Sequence, residues 1–324
     1  MKAVRCSVLG AHTGLTVEEI DAPKPGKGEV LIDVKAAGLN FPDVLMVAGK
    51  YQFQPELPFT PGGEGAGIVA ELGEGVTNVK VGDRVIFFNQ TGAFAEKIAA
   101  PAKTLVPMPA SMPFEVAAGF TITYATSYHA LKQRAAIQPG EILLVLGAAG
   151  GVGLATVELG KAMGAVVIAA ASSDEKLEVC KKAGADHVIN YSTEDLKARV
   201  KELTEGKGVD VVYDPVGGDY TEAALRTMAP NGRLLVIGFA AGDIPKPPLN
   251  LCLLKQCSIV GVFWGNWARA NPGLQVQNTM EMFKMFEEGT IDPLVNDVFP
   301  LEDVVEAFSC LTERRAKGKV ILKP

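Results

Sequence analysis

The most constraining stretch of the chain is Gly147-Ala-Ala-Gly-Gly-Val-Gly153, which follows the apolar run Ile142-Leu-Leu-Val-Leu146 and opens Leu154-Ala-Thr-Val-Glu-Leu159. In that order the three segments read as strand, glycine turn and helix. Taken as Ala148-x-Gly150-x-x-Gly153, the turn is the dinucleotide fingerprint with alanine in first place, still small enough for a tight bend. Gly150 and Gly151 would let the backbone approach a pyrophosphate held by free N–H groups at the helix N-terminus, and Gly153 would let that helix pack on the strand. An ordinary glycine-rich strand-to-helix turn remains the alternative on this motif alone.

Around it the pattern repeats. Ile142–Leu146, Val166–Ala171, His187–Ile189, Val209–Tyr213, Leu234–Ile237 and Ser258–Phe263 read as six strands, with charged helical segments between at least the first five. Such alternation is the signature of a parallel, doubly wound sheet. A length of 324 residues exceeds one ordinary core and suits two domains. The first third is expected to be mainly β: Pro25-Gly-Lys-Gly28 makes a turn, Glu29 to Lys35 alternates apolar and polar, and glycines punctuate short apolar runs up to Gly92. Between Leu39 and Gly62, four prolines forbid a long helix, and Asn40, Asp43 and Tyr51 lie among three phenylalanines. This segment reads either as a loop over a pocket or as a surface loop anchored by its aromatics. Phe114 to Gln133 is helical in spacing, with Thr121, Thr123, Thr126 and Ser127 running through it. The tail offers helices at Thr279 to Glu288 and near Leu301 to Leu311, then a strand at Lys319 to Leu322.

Composition narrows the partners. A net charge of −6 and a pI near 5.3 argue against a general phosphate-backbone binder, so no nucleic acid is expected. The most apolar stretch, Ile142 to Ala171, is broken by glycines, Glu158 and Lys161, and the start lacks a secretion signal, so a cytoplasmic protein without a membrane span is expected. Five cysteines form no CxxC pair and three histidines, His12, His129 and His187, have no partners at ligand spacing, so no metal site is expected.

Cofactor choice is written after the second strand of the alternating series, which ends Ala169-Ala-Ala-Ser-Ser173 with no carboxylate at its tip. Ser172, Ser173 and Lys176 could accept the 2′-phosphate of NADP, with Tyr191 a further donor. The rival is that Asp174 or Glu175 is a ribose-binding acid; a third reading makes Ser173 a helix N-cap with Asp174 and Glu175 in the first turn.

The runs PGKGEVLIDVKAAGLNFPD (25–43), PGGEGAG (61–67), GDRV (82–85), GAFAE (92–96) and VFWG (262–265) together resemble the medium-chain dehydrogenase/reductase superfamily, and within it the zinc-free quinone oxidoreductases related to zeta-crystallin. The resemblance implies an α/β protein with a GroES-like β-rich catalytic domain, 1–122 and 264–324, and a Rossmann doubly wound parallel sheet domain, 123–263. Where zinc relatives carry a cysteine ligand this chain has Asn40, and in place of their Gly-His-Glu it reads Gly62-Gly63-Glu64. Glu64 is left with a structural role on this reading. Without a Lewis acid, the expected substrate already accepts hydride readily, as quinones and enones do.

Carried over residue by residue, the resemblance puts Asn40, Tyr51 and Thr126 at the nicotinamide and substrate. It puts Gly150, Gly151, Val152 and Gly153 at the pyrophosphate, and Ser172, Ser173, Lys176 and Tyr191 at the 2′-phosphate of NADPH. Phe239, Ala240, Phe263 and Trp264 would offer backbone groups to the nicotinamide end, with plain packing the alternative for the aromatics. Lys319 is expected to touch the cofactor. A homodimer through the edge strand Ser258–Phe263 is implied. The alternatives are an enoyl-thioester or alkenal reductase, and, from another class, a crystallin-like NADPH-binding protein with little turnover.

Overall fold

The computed structural model describes residues 1–324 and divides into two compact units, Met1–Ile122 with Pro293–Pro324, and Thr123–Asp292. In the first, β1 (Lys2–Arg5) and β2 (Thr16–Glu19) form an antiparallel pair. The spine is β3 (Glu29–Leu39), whose alternating residues bury Val30, Ile32 and Val34. It runs directly into α1 (Phe41–Val47), a short helix in the segment expected to be loop; the prolines permit it because Pro42 stands in the first turn, where no backbone N–H is needed. Then come β4 (Glu64–Leu72), β5 (Arg84–Phe88), β6 (Lys97–Pro101), β7 (Val106–Pro107) and α2 (Phe114–Ala118). Strands β3 and β4 lie so close that a Cβ on Gly67 would meet Asp33 O at 2.3 Å.

The second unit opens on α3 (Phe120–His129), whose first residues belong to the unit before. Gly119 interrupts the helix expected over Phe114 to Gln133, and the end of that stretch winds as a π-helical turn, Ala130–Ala135. There follow β8 (Ile142–Leu146), α4 (Gly151–Ala162), β9 (Val166–Ala171), α5 (Asp174–Lys182), β10 (His187–Asn190), α6 (Leu196–Leu203), β11 (Val209–Asp214), α7 (Asp219–Leu225), β12 (Met228–Val236), α8 (Asn250–Lys255), β13 (Ser258–Gly261), α9 (Trp264–Ala270) and α10 (Pro272–Glu287). All six strands pair in parallel, in the order β10-β9-β8-β11-β12-β13. This is the doubly wound order that reverses direction beside β8, the strand feeding the glycine turn.

One boundary differs from expectation. Residues 264–292, read from sequence as part of the first domain, pack in the second unit. The reason lies on α10: Lys132 Nζ donates to Asn278 Oδ1 at 3.2 Å and pairs with Glu281, and Tyr128 O–H donates to Glu281 Oε2 at 2.6 Å. The remaining elements, β14 (Val295–Pro300), α11 (Val304–Thr312) and β15 (Lys319–Lys323), complete the first unit's sheet in the order β14-β15-β3-β4-β5-β7, with β6 also on β3.

Glu158, the acid that interrupts the apolar stretch, is buried on α4, where Tyr124 O–H donates to its Oε2 at 2.5 Å. Burial pushes its carboxyl up to about 7, against the hydrogen bonds from Tyr124 and the Asp292 N–H. A carboxyl raised in the folded state binds its proton more tightly there than when unfolded, so ionising it between about pH 4 and 7 costs stability. Glu158→Gln, which mimics the protonated form, should therefore gain on wild type by about 1–3 kcal/mol as pH rises from 5 to 8. Urea titrations at the two pH values check it. An unchanged difference would mean that Glu158 is ionised throughout.

Candidate functional site

The glycine turn is built as a cradle. Gly147 takes φ of +57°, Gly150 caps α4 with no side chain, and a Cβ on Gly153 would lie 2.3 Å from Gly147 O. The helical ladder begins with Leu154 N–H donating to Gly150 O at 2.8 Å, so the N–H groups of Gly151, Val152 and Gly153 precede it and face outward at the positive end of α4. This matches what a pyrophosphate requires. Inside, Thr156 O–H donates to Val152 O at 2.7 Å, its Oγ1 lies 2.9 Å from Ser127 Oγ, and Ser127 Oγ lies 3.0 Å from Tyr213 Oη, tying α3 to the first turn of α4. These hydroxyls are buried and were not singled out from sequence as a network.

At the end of β9, Lys176 Nζ donates to Ser172 Oγ at 3.3 Å, while Lys176 N–H donates to Ser173 Oγ at 3.4 Å as an N-cap bond. Ser173 is thus the N-cap of α5, as the third reading had it, with Asp174 and Glu175 in the first turn. Asp174 is turned elsewhere: Asn190 Nδ2 donates to its Oδ1 at 2.8 Å. Tyr191 stacks at a tilt on Tyr220, ring centroids 4.5 Å apart. Two hydroxyls and an ammonium therefore gather at the tip of β9, and one of the two rival acids is engaged.

Of the residues expected at the nicotinamide end, Thr126 is half-buried on α3, Phe239 and Ala240 follow β12, and Phe263 is 57% exposed before α9. Trp264 is buried, and its indole N–H donates to Gln275 Oε1 at 2.8 Å, which gives this aromatic a packing role. Tyr51, half-buried beyond α1, packs against the first unit's core.

The first unit holds a buried polar cluster where β3, β4 and β15 meet. Lys319 Nζ donates to Asn40 Oδ1 at 2.6 Å and to Glu64 Oε1 at 2.7 Å; Asn40 Nδ2 donates to Glu64 Oε1 at 2.9 Å and to Gly38 O at 3.2 Å; the Ile122 N–H donates to Glu64 Oε2 at 2.8 Å. Glu64 is fully buried and the Lys319 side chain is 8% exposed. Lys319, expected at the cofactor, thus has its ammonium engaged by Asn40 and Glu64. Beside them Asp43 accepts the Asn40 N–H at 2.8 Å, and burial pushes its carboxyl up to about 7. Asp43 was missed as a site residue, although Asn-x-x-Asp ahead of an apolar run is a capping signal. No three His, Cys, Asp or Glu side chains converge as a ligand set.

Comparison with known proteins agrees with these two halves. Residues 26–110 match the alcohol dehydrogenase GroES-like domain, and residues 151–279 match the zinc-binding dehydrogenase family. The chain belongs to the medium-chain dehydrogenase/reductase family. It is 39% identical to the quinone oxidoreductase-like protein 2 homolog of Nematostella vectensis over 99% of this chain and 88% of that one. Among solved structures it is similar to the quinone oxidoreductase of Pseudomonas syringae (36% identity, TM-score 0.93, covering 100% and 99% of the two chains). It is also similar to the Escherichia coli quinone oxidoreductase complexed with NADPH (31% identity, TM-score 0.92, all of both chains).

Proposed function

We propose that the chain is an NADPH-dependent, metal-free reductase of quinones or other conjugated carbonyls. The observation that carries it is the grouping of Ser172, Ser173 and Lys176 at the tip of β9, with Asp174 drawn off to Asn190, on a family whose relatives are quinone oxidoreductases. Bound NADPH would supply a hydride. The protein's part is to bind and orient: Gly150, Gly151, Val152 and Gly153 take the pyrophosphate, Lys176, the two serines and Tyr191 take the 2′-phosphate, and Asn40, Tyr51 and Thr126 serve the reacting end. Phe239, Ala240 and Phe263 offer backbone groups there. Where a zinc relative has a cysteine, Asn40 here receives an ammonium, a donor set that suits no Lewis-acid metal. A homodimer fits β13, which ends the parallel sheet with Ile259 and the nearby Phe263 exposed.

NADPH should bind at least about ten-fold more tightly than NADH, because each charge-assisted bond to the 2′-phosphate is worth about 1.5 kcal/mol or more. Lys176→Ala should remove most of that preference. Fluorescence titration of both cofactors checks it, and an NADH preference surviving Lys176→Ala would assign the ribose to an acid instead. NADPH consumption across quinones, enones and enoyl thioesters then selects the acceptor, and no turnover with any of them would leave a cofactor-binding protein.

A further inference from the structure

The carbonyl of Val152, in the first turn of α4, receives more than a helix carbonyl ordinarily does. Thr156 donates its O–H to it at 2.7 Å, a back-bond that threonines within helices commonly make. Ser127, which arrives from α3, places Oγ 3.0 Å from the same oxygen. Behind Ser127 stands Tyr213 of β11, its Oη 3.0 Å from Ser127 Oγ. The three side chains are fully buried, and all four residues belong to the second unit. Counting hydrogens gives the group a direction. Each hydroxyl brings one hydrogen, and a carbonyl oxygen brings none. Burial pushes the Tyr213 phenol up to about 12, against its hydrogen bonds with Ser127 and Thr156, so it keeps its proton across the neutral range. The phenol is the most acidic of the three and donates; the serine that accepts from it has its own hydrogen to pass on. Whether Ser127 passes it to Val152 O directly or through Thr156 Oγ1 at 2.9 Å, the line of donors ends at that carbonyl.

We infer that Ser127, Thr156 and Tyr213 are positioning residues that hold and polarise the Val152–Gly153 peptide, so that the Gly153 N–H grips a pyrophosphate more strongly than unsupported backbone would. The inference rests on the reading of the chain as an NADPH-dependent reductase. A carbonyl that accepts hydrogen bonds draws electron density through its amide, and the N–H across the peptide becomes the stronger donor. Across the peptide from Val152 O is the Gly153 N–H, one of the three that precede the ladder of α4. The threonine alone would be an ordinary feature of a helix. What singles out this turn is a second hydroxyl brought from α3 to the same oxygen, with a buried phenol feeding it. The influence is local to the turn, whereas the 2′-phosphate is assigned to other residues, on β9 and α5.

The test measures dissociation constants for NADPH, by fluorescence, and for adenosine 2′-monophosphate, by calorimetry; the second ligand carries the 2′-phosphate and no pyrophosphate. The proteins are wild type, Ser127→Ala, Tyr213→Phe, Thr156→Val, which keeps the shape and loses the hydroxyl, and Thr156→Ser, which keeps the hydroxyl. Ser127→Ala and Thr156→Val should weaken NADPH about five-fold, Tyr213→Phe about two-fold and Thr156→Ser not at all, with adenosine 2′-monophosphate unchanged throughout. In the ligand-free proteins carrying isotopically labelled glycine, the Gly153 amide nitrogen resonance should move upfield in the three variants that weaken NADPH, as the preceding carbonyl loses donors. Tyr213→Phe removes a single oxygen, so it carries the test should another variant fail to fold. Unchanged NADPH affinity in every folded variant would overturn the inference. A loss shared equally by both ligands would overturn it too, leaving the hydroxyls as structural supports. So would a Thr156→Ser variant as weak as Thr156→Val, which would show that the fit of the side chain, and not its hydroxyl, sets the affinity. Failure of wild type to bind NADPH at all would overturn the functional reading itself, a separate outcome.

Discussion

Lys319→Met should destabilise the protein by about 3–5 kcal/mol, because it leaves the carboxylate of Glu64 buried with no cation. The ammonium is also one of the influences holding the Asp43 carboxyl down, so its loss compounds the cost. On the scale of this chain the thermal midpoint should drop by on the order of 10 °C. Adding Glu64→Gln should recover most of the loss, since a buried ion pair replaced whole is often neutral where one replaced by halves is not. Thermal melts of the wild type, the two single variants and the double variant form the cycle that measures this. A single variant as stable as wild type would show that the Lys319–Glu64 pair carries no weight in the fold.

Gly153→Ala should weaken cofactor binding by about a hundred-fold or more in NADPH affinity, on the order of 3 kcal/mol. The added methyl would lie 2.3 Å from Gly147 O and 2.8 Å from Ala148 Cα. Both are backbone atoms of the turn itself, so relief requires the cradle to open rather than a side chain to swing aside. Gly150→Ala is the contrast. Its methyl meets only Gly147 O, at the ordinary distance of 3.4 Å, so the fold should keep its stability while the intrusion on the close approach weakens NADPH. Melting and titration of the two variants separate the effects. Equal affinity for NADPH in wild type and Gly153→Ala would remove the turn from the binding site.

The parallel sheet was legible because each of its strands is a short apolar run with punctuation on both sides, a pattern that local sequence carries in full. Thus β8, β9 and β13 start at the expected residues, and β12 begins earlier only because Met228 to Arg233 holds Pro230, Asn231 and Gly232, which read as a turn. The strand β14 was not seen, since Val295 to Pro300 alternates over too few residues and is defined by its parallel partner β15. The same limit governs the site. The glycine turn and the Ser172, Ser173 and Lys176 cluster are contiguous and could be read directly. The cluster of Asn40, Glu64 and Lys319 joins residues remote in sequence, and no local pattern shows that the lysine of the last strand turns to an asparagine of the first third. Glu64 was read as structural, and its three hydrogen-bond partners became visible only when β3, β4 and β15 were brought side by side.

The place of β15 also sets a schedule for the chain during its synthesis. Val320, Ile321 and Leu322 pair with Leu39, Gly38 and Ala37, and β14 joins the sheet only through β15. While the ribosome is still adding residues, the second half of β3 therefore waits without a neighbour on that side, though it left the exit tunnel long before. The inserted parallel-sheet unit has all its strands in hand by then and can finish first, so the unit begun earliest is completed last. A nascent chain released before β15 would carry an intact glycine cradle and an unclosed first sheet, with Glu64 buried beside no ammonium.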